Sequence, residues 1–301
     1  PKPAPDEVLI AVEAAGINRP DVLQRQGLYP PPKGASDLLG LEVAGPVIMV
    51  GEAVTRFKPG DFVCALVNGG GYAEFAVAPE TTTLKAPDGL TAVQAAALPE
   101  TIFTVWHNVF ERGGLEEGDW LLVHGGASGI GTTAIQLAAS GATPRPATVG
   151  DDTKAKACEA LGAVRAINYR EEDFVDVVRK VTEKHGADVI LDMVGGDYIE
   201  RNLRAAALEG HIVQIAFLKG SKVEIDLMRL MMRRLTLTGS TLRAQGAKAK
   251  ARMAEAIEKT VWPLIAVGDF KPVIDSTFPL SDAADAHKRI DDPGHVGKIV
   301  L

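Results

Sequence analysis

Apolar positions along the chain fall into two regimes. Up to about residue 97 they come in short, loosely alternating runs over 8–14, 42–50, 61–66 and 72–77. Glycine and proline break the chain between them, at Gly40, Gly45-Pro46, Gly51, Pro59-Gly60 and Gly69-Gly70-Gly71. Runs of this length between turn residues predict strands. Pro59-Gly60-Asp61 ahead of Phe62-Val63 predicts a turn that feeds one of them. From Thr91 the spacing turns helical, through Val93, Ala96-Ala97-Leu98, Phe103, Val105, Val109 and Phe110.

Beyond that point strand-like and helix-like stretches alternate. Strands are predicted near 120–123, 163–168, 188–192, 211–216 and 235–239, and helices over 154–161, 174–182, 198–208 and 247–267, the last carrying Pro263. Gly162 is suited to close the first of these helices. Residues 273–301 hold two strand candidates around a helix over 281–290, with Ser281 as its expected cap. Alternation of this kind predicts an α/β protein with a doubly wound parallel sheet. One segment conflicts with it. The second strand of the unit should fall between Gly141 and Gly150, where Pro144 and Pro146 would remove ladder donors. The helix is therefore expected to end at Gly141, with 142–146 irregular and a short strand over 147–149.

The stretch Trp120-Leu-Leu-Val-His-Gly-Gly-Ala-Ser-Gly-Ile-Gly131 joins an apolar run to a helix through small residues. Read against G-x-G-x-x-G it is Gly126-Ala127-Ser128-Gly129-Ile130-Gly131, with serine at the second glycine. Strand, glycine turn and helix together predict a dinucleotide site, because small residues admit a pyrophosphate to the unpaired N–H groups at the helix start. The alternative is that these glycines only permit tight helix–strand packing.

At 301 residues the chain is long enough for two domains. Its 46% apolar and 24% charged residues describe an ordinary globular protein. A net charge of −7 without a basic run argues against nucleic acid as a partner. Cys64 and Cys158 lack metal-type spacing and read as packed thiols in a reducing, cytoplasmic setting. No apolar run reaches membrane-spanning length. The opening Pro1-Lys2-Pro3-Ala4-Pro5 reads like the end of a linker, so preceding residues are expected.

Several stretches carry a resemblance: Ala14-Ala-Gly-Ile-Asn18-Arg-Pro-Asp21, Gln24-Arg-Gln-Gly-Leu-Tyr29-Pro-Pro, Gly40-Leu-Glu42-Val-Ala-Gly45, Leu98-Pro-Glu-Thr-Ile-Phe-Thr104, the glycine turn, Ala166-Ile-Asn-Tyr169-Arg, Leu191-Asp-Met-Val-Gly-Gly196 and His295-Val-Gly-Lys-Ile-Val-Leu301. Over nearly its whole length the chain resembles the zinc-independent quinone oxidoreductases of the medium-chain dehydrogenase/reductase superfamily. The resemblance implies a GroES-like catalytic domain over 1–97, to which 268–301 return, and a Rossmann domain over 98–267. It implies hydride transfer from NADPH to quinones or related enones and a homodimer, in which residues 235–239 continue the sheet into a second copy. Enoyl-thioester reductases and low-turnover nucleotide-binding proteins of crystallin type share the fold and are the alternatives.

The same resemblance bears on metal and site residues. Zinc-dependent relatives carry Cys-x-[Ser/Thr]-Asp and Gly-His-Glu where this chain has Asn18-Arg-Pro-Asp21 and Gly40-Leu41-Glu42, so no metal is expected. Asn18 and Thr104 would lie near the nicotinamide and Tyr29 beside the substrate, with Tyr29 or water as proton source. Their alternative roles are a turn residue, a helix residue bonded to backbone and a lid over the core. Gly126, Ala127, Ser128, Gly129, Ile130, Val194, Phe217 and Lys298 would line the cofactor. An NAD site places a carboxylate about 20 residues past the turn, a count that reaches Gly150. The NADP pattern Gly-Ser-x-x-Lys is matched at Gly150 and Lys154, which with Tyr169 would hold the 2′-phosphate. Asp151 replaces the serine and would repel that phosphate.

Overall fold

The computed structural model describes residues 1–301. The alternating runs of the N-terminal part become strands β1 (Glu7–Ala11), β2 (Ala14–Ala15), β3 (Glu42–Val50), β4 (Phe62–Leu66), β5 (Phe75–Pro79) and β6 (Thr83–Lys85). They form an antiparallel sheet in the order β5-β1-β3-β4-β6, with β2 paired to β3. Alternate positions, among them Val8, Ile10, Val43, Val63 and Ala76, point into one core.

The later alternation becomes β7 (Leu121–Val123), β8 (Pro146–Val149), β9 (Arg165–Asn168), β10 (Ala187–Asp192), β11 (Ala206–Gln214) and β12 (Thr236–Gly239). All are parallel, in the order β12-β11-β10-β7-β8-β9. Leu122, Ile167, Phe174, Ile190, Leu203 and Ile212 are among its core residues, because such a sheet is covered on both faces. The chain closes with β13 (Ile274–Thr277) and β14 (Lys298–Val300). Ile17 N–H donates to Ile299 O at 2.9 Å and Leu301 N–H to Ala15 O at 2.8 Å, which ties the C-terminus to the N-terminal sheet.

The chain divides into two compact units, Pro1–Phe103 with Arg243–Leu301, and Thr104–Leu242. These are a GroES-like and a Rossmann unit. Helix Ala247–Val267, expected with the second, is tied to the first: Trp262 Nε1 donates to Lys85 O at 2.7 Å, and Arg56 pairs with Glu258 at 2.7 Å.

Both prolines are accommodated as the pattern requires. Pro146 is the first residue of β8, where a missing N–H is tolerated, and Pro144 precedes it and accepts Leu121 N–H through its carbonyl at 3.0 Å. Strand β8 thus starts one residue before the expected 147–149. Two expectations are corrected. The helix expected over 198–208 ends at Ala205, because Ala206 pairs with Ala187 and Glu209 turns left-handed with φ 64°. Ser281 caps no helix: it lies in a single 3₁₀ turn, and helix Ala283–Asp291 starts beyond it.

Candidate active site

In the Rossmann unit the expected cofactor residues follow successive strand ends. The glycine turn follows β7, Gly150 follows β8, Tyr169 follows β9, and Val194 follows β10. Because the strands are parallel, these loops share one edge of the sheet, the edge at which such folds bind ligands. Helix Gly129–Ser140 starts in the turn, capped by Ser128 Oγ, which accepts Gly131 N–H at 3.0 Å and donates to Gly125 O at 2.8 Å. The packing explanation holds for two glycines. A Cβ on Gly126 would lie 2.8 Å from Ala147 Cβ, and one on Gly131 would lie 2.3 Å from Gly125 O. It does not account for the N–H groups of Gly129 and Ile130, which begin the helix and meet no acceptor in the protein. A twelve-residue helix that presents such donors and its positive dipole end suits an anionic diphosphate.

At the next strand end the phenol of Tyr169 lies over Gly150, where an added Cβ would be 3.0 Å from the hydroxyl oxygen. Asp151 has a role that sequence reasoning missed. Its carboxylate accepts Lys154 N–H at 2.9 Å and caps helix Asp152–Ala160. Lys154 makes no ion pair. Val194 N–H donates to Asp192 Oδ1 at 2.6 Å, and Val194 O accepts Lys219 N–H at 2.7 Å. The latter bond draws the Phe217 loop alongside Gly195, where an added Cβ would lie 2.7 Å from the Phe217 ring. Thr104 is buried and its hydroxyl bonds nothing in the protein, whereas Thr101 on the same helix bonds back to Ala97 O at 3.2 Å. Just beyond, Gly113 N–H reaches back five residues to Asn108 O at 2.9 Å, a widened turn of the kind found at functional sites.

The GroES-like unit buries a second constellation. Asn18 precedes helix Arg19–Arg25, and Asp21 Oδ2 accepts its N–H at 2.8 Å, so the turn-residue role is real. Its amide also has work to do in the interior: Nδ2 donates to Glu42 Oε1 at 2.8 Å, and Oδ1 accepts from Lys298 Nζ at 2.6 Å. Lys298 Nζ donates further to Glu42 Oε1 at 2.6 Å and Ile17 O at 2.9 Å, so its three donors all point at protein acceptors. Glu42 Oε2 accepts the N–H of Glu100 at 2.8 Å. Burial, and then the nearby Glu42, push the Glu100 carboxyl up to about 8. Burial likewise raises Asp21 to about 6 against its hydrogen bonds from Asn18 and Gly40. Tyr29 is half-buried under Arg243, whose guanidinium carbon lies 5.7 Å from the ring centre, and burial raises its phenol. Arg243 in turn donates to Gln24 Oε1 at 2.8 Å and Asn68 O at 3.1 Å.

Residues 4–88 match the alcohol dehydrogenase GroES-like domain, and residues 161–301 the zinc-binding dehydrogenase family. The rat (Rattus norvegicus) quinone oxidoreductase is 31% identical over 303 residues, covering 100% of this chain and 90% of that protein. The chain belongs to the medium-chain dehydrogenase/reductase superfamily. Among solved structures of the superfamily, Escherichia coli quinone oxidoreductase complexed with NADPH is 28% identical with a TM-score of 0.87, covering 100% of this chain and 93% of the other. An NAD-dependent alcohol dehydrogenase is 30% identical with a TM-score of 0.88, covering 100% and 93%. The protein is thus an oxidoreductase of this superfamily, with a Rossmann unit that suits a nicotinamide cofactor.

Membership in a superfamily with zinc-binding branches makes the ligand positions informative. Leu41 is buried as a core residue, Asn18 is committed to Lys298 and Glu42, and no three His, Cys, Asp or Glu side chains are grouped to hold a metal. Both cysteines are free and buried, and burial raises their thiols, Cys158 to about 12. No helix is long and apolar enough to cross a membrane. Glu42, Glu100 and Arg243 went unassigned in the sequence. The available signal was charged residues inside otherwise apolar stretches, such as Glu42 ahead of Val43-Ala44.

Proposed function

We propose that this protein is an NADPH-dependent reductase that passes hydride to quinones or related activated carbonyl compounds without a metal. The observation that carries this reading is the fixing of Asn18 between Lys298 and Glu42, at the position where zinc relatives place a thiolate. An amide held at both ends can orient a nicotinamide or an acceptor oxygen but supplies no Lewis acid. A quinone needs none, because alignment against the hydride that a bound nicotinamide supplies, together with hydrogen bonds, is sufficient.

Gly129 and Ile130 would receive the diphosphate on their N–H groups, and Lys154 with Tyr169 the 2′-phosphate. Gly150 offers the ribose no carboxylate, which supports NADPH over NADH, while Asp151 opposes a 2′-phosphate even as it caps its own helix. Lys298 acts here through Asn18, as a positioning residue. The free hydroxyls of Thr104 and Tyr29 support roles beside the nicotinamide and the acceptor, and Tyr29 or water returns the proton. Buried thiols fit a reducing cytoplasm, and the exposed sheet edge at β12 fits a homodimer.

The test is NADPH and NADH oxidation against quinones, enones, enoyl thioesters and simple aldehydes, with zinc measured on the purified protein. Quinones or enones are expected to turn over fastest, with NADPH, without stoichiometric zinc. Turnover confined to simple aldehydes or alcohols, or stoichiometric zinc with activity lost to chelators, would overturn the reading.

A further inference from the structure

Beneath the glycine turn lies a chain of buried polar groups that the proposed reaction does not use. Asp192, Asn202 and His124 are 0% exposed and Thr148 1%; they come from β10, helix Tyr198–Ala205, the turn after β7 and β8. Asp192 Oδ1 accepts the N–H groups of Val194 at 2.6 Å and Gly195 at 3.2 Å. Its other oxygen meets Asn202 Nδ2 at 2.9 Å, Asn202 Oδ1 meets His124 Nε2 at 2.7 Å, and His124 Nδ1 meets Thr148 Oγ1 at 3.1 Å. Thr148 Oγ1 faces Gly125 N–H at 3.4 Å, and Thr148 O accepts Gly126 N–H at 2.9 Å.

Donor chemistry fixes the direction of every link. A carboxylate only accepts, so Asn202 must turn its NH₂ to Asp192 and its oxygen to His124. An amide oxygen only accepts, so His124 must carry its proton on Nε2, leaving Nδ1 to accept from the Thr148 hydroxyl. That hydroxyl then has its lone pairs left for Gly125 N–H. Burial lowers the proton affinity of the ring, against the pull of Asp192 and the hydrogen bond to Asn202, and Arg201 adds to the lowering, which favours a single ring proton. Phe174 and Tyr198 pack edge-on against the imidazole at 4.7 and 4.8 Å between ring centres.

We propose that Asp192, Asn202, His124 and Thr148 form a one-directional hydrogen-bond chain, with His124 locked as the Nε2–H tautomer, that holds the loops after β7 and β10 in position for a dinucleotide. The chain joins the Val194–Gly195 loop at one end to Gly125–Gly126 at the other, so a break at any link frees a wall of the cofactor edge. The loop-holding role rests on the functional reading above, whereas the tautomer does not.

Long-range proton–nitrogen NMR on the ¹⁵N-labelled protein, with the His124 signals assigned by their loss in His124→Gln, reads the tautomer directly. The wild type should show a protonated Nε2 and a bare Nδ1. In Asp192→Asn the new amide can donate to Asn202, which reverses each link and moves the proton to Nδ1. Thr148→Val keeps the shape and the strand propensity but removes the last link. It should leave the tautomer unchanged and raise the NADPH dissociation constant, read by nicotinamide fluorescence, roughly two- to tenfold, the worth of one neutral hydrogen bond. A wild-type Nδ1–H tautomer, or a Thr148→Val protein of wild-type affinity, overturns the proposal. A wild type that binds neither NADPH nor NADH refutes the functional reading instead, and with it the loop-holding role.

Discussion

Replacing Glu100 with Gln should remove most of the alkaline loss of stability of the GroES-like unit. Glu100 is 9% exposed, and its carboxyl sits among Glu42 and Asp21, which disfavour its ionisation, and Lys298 and Lys250, which favour it. Burial is the largest influence, and together these groups raise the carboxyl from 4.5 to about 8. A folded value above the unfolded one means that the native state holds the proton more tightly. The stabilisation is therefore complete below pH 4.5 and is lost as pH rises through about 8. At about 1.36 kcal/mol for each pH unit between those values, the ceiling on the loss is about 5 kcal/mol. That is a large share of a typical total of about 5–15 kcal/mol. Gln cannot ionise, so Glu100→Gln should match the wild type near pH 5 and exceed it by several kcal/mol near pH 9. Urea unfolding across that range is the assay. Trp262 lies in this unit and Trp106 and Trp120 in the other, so a Trp106→Phe/Trp120→Phe background lets fluorescence follow the relevant transition. Parallel loss of stability in both proteins from pH 5 to 9 would refute the reasoning.

Three other outcomes are expected. Lys298→Met leaves the fully buried Glu42 carboxylate without its cation and should cost about 3–5 kcal/mol in thermal or urea unfolding. Adding Glu42→Gln should recover part of it, and a loss under about 1 kcal/mol would mean that water reaches the pair. Lys154→Ala should raise the Michaelis constant for NADPH roughly tenfold or more, the worth of a charge-assisted bond to phosphate, and leave NADH nearly unchanged. Asp151→Ser keeps a good helix cap while removing the repulsion, so it should sharpen the NADPH preference; equal loss of both cofactors in Lys154→Ala would sink this assignment. Finally, β12 is a sheet edge with Leu237 38% exposed. Sedimentation should therefore show a homodimer that Leu237→Lys weakens, and a monomeric wild type at micromolar concentration would count against that interface.

Local periodicity determined the elements of this protein, because a strand or helix is largely a statement about neighbours in the chain. Strand Glu42–Val50 and helix Ala247–Val267 lie where the apolar pattern put them, the glycine turn opens a helix capped by its own Ser128, and the prolines at 144 and 146 limit a strand to Pro146–Val149. The misjudged ends, at Ala205 and Ser281, were set by pairing and by a 3₁₀ turn that no local pattern announced. The family resemblance named candidate site residues one by one, but their partners in the fold were not legible in the chain. Lys298 meets Glu42 across 256 positions of chain because the C-terminal strand returns to the first sheet, and only that return places three acceptors around one ammonium. Asp151 is only a repulsive charge in a linear reading and is also a helix cap in the folded one, since the cap depends on backbone direction after Gly150. His124 is one histidine in an apolar run until β10 and helix Tyr198–Ala205 bring Asp192 and Asn202 beside it. Composition and spacing decide what each segment becomes, whereas the proton on a ring nitrogen and the charge on a buried carboxyl depend on groups that only the completed packing brings within a few ångströms.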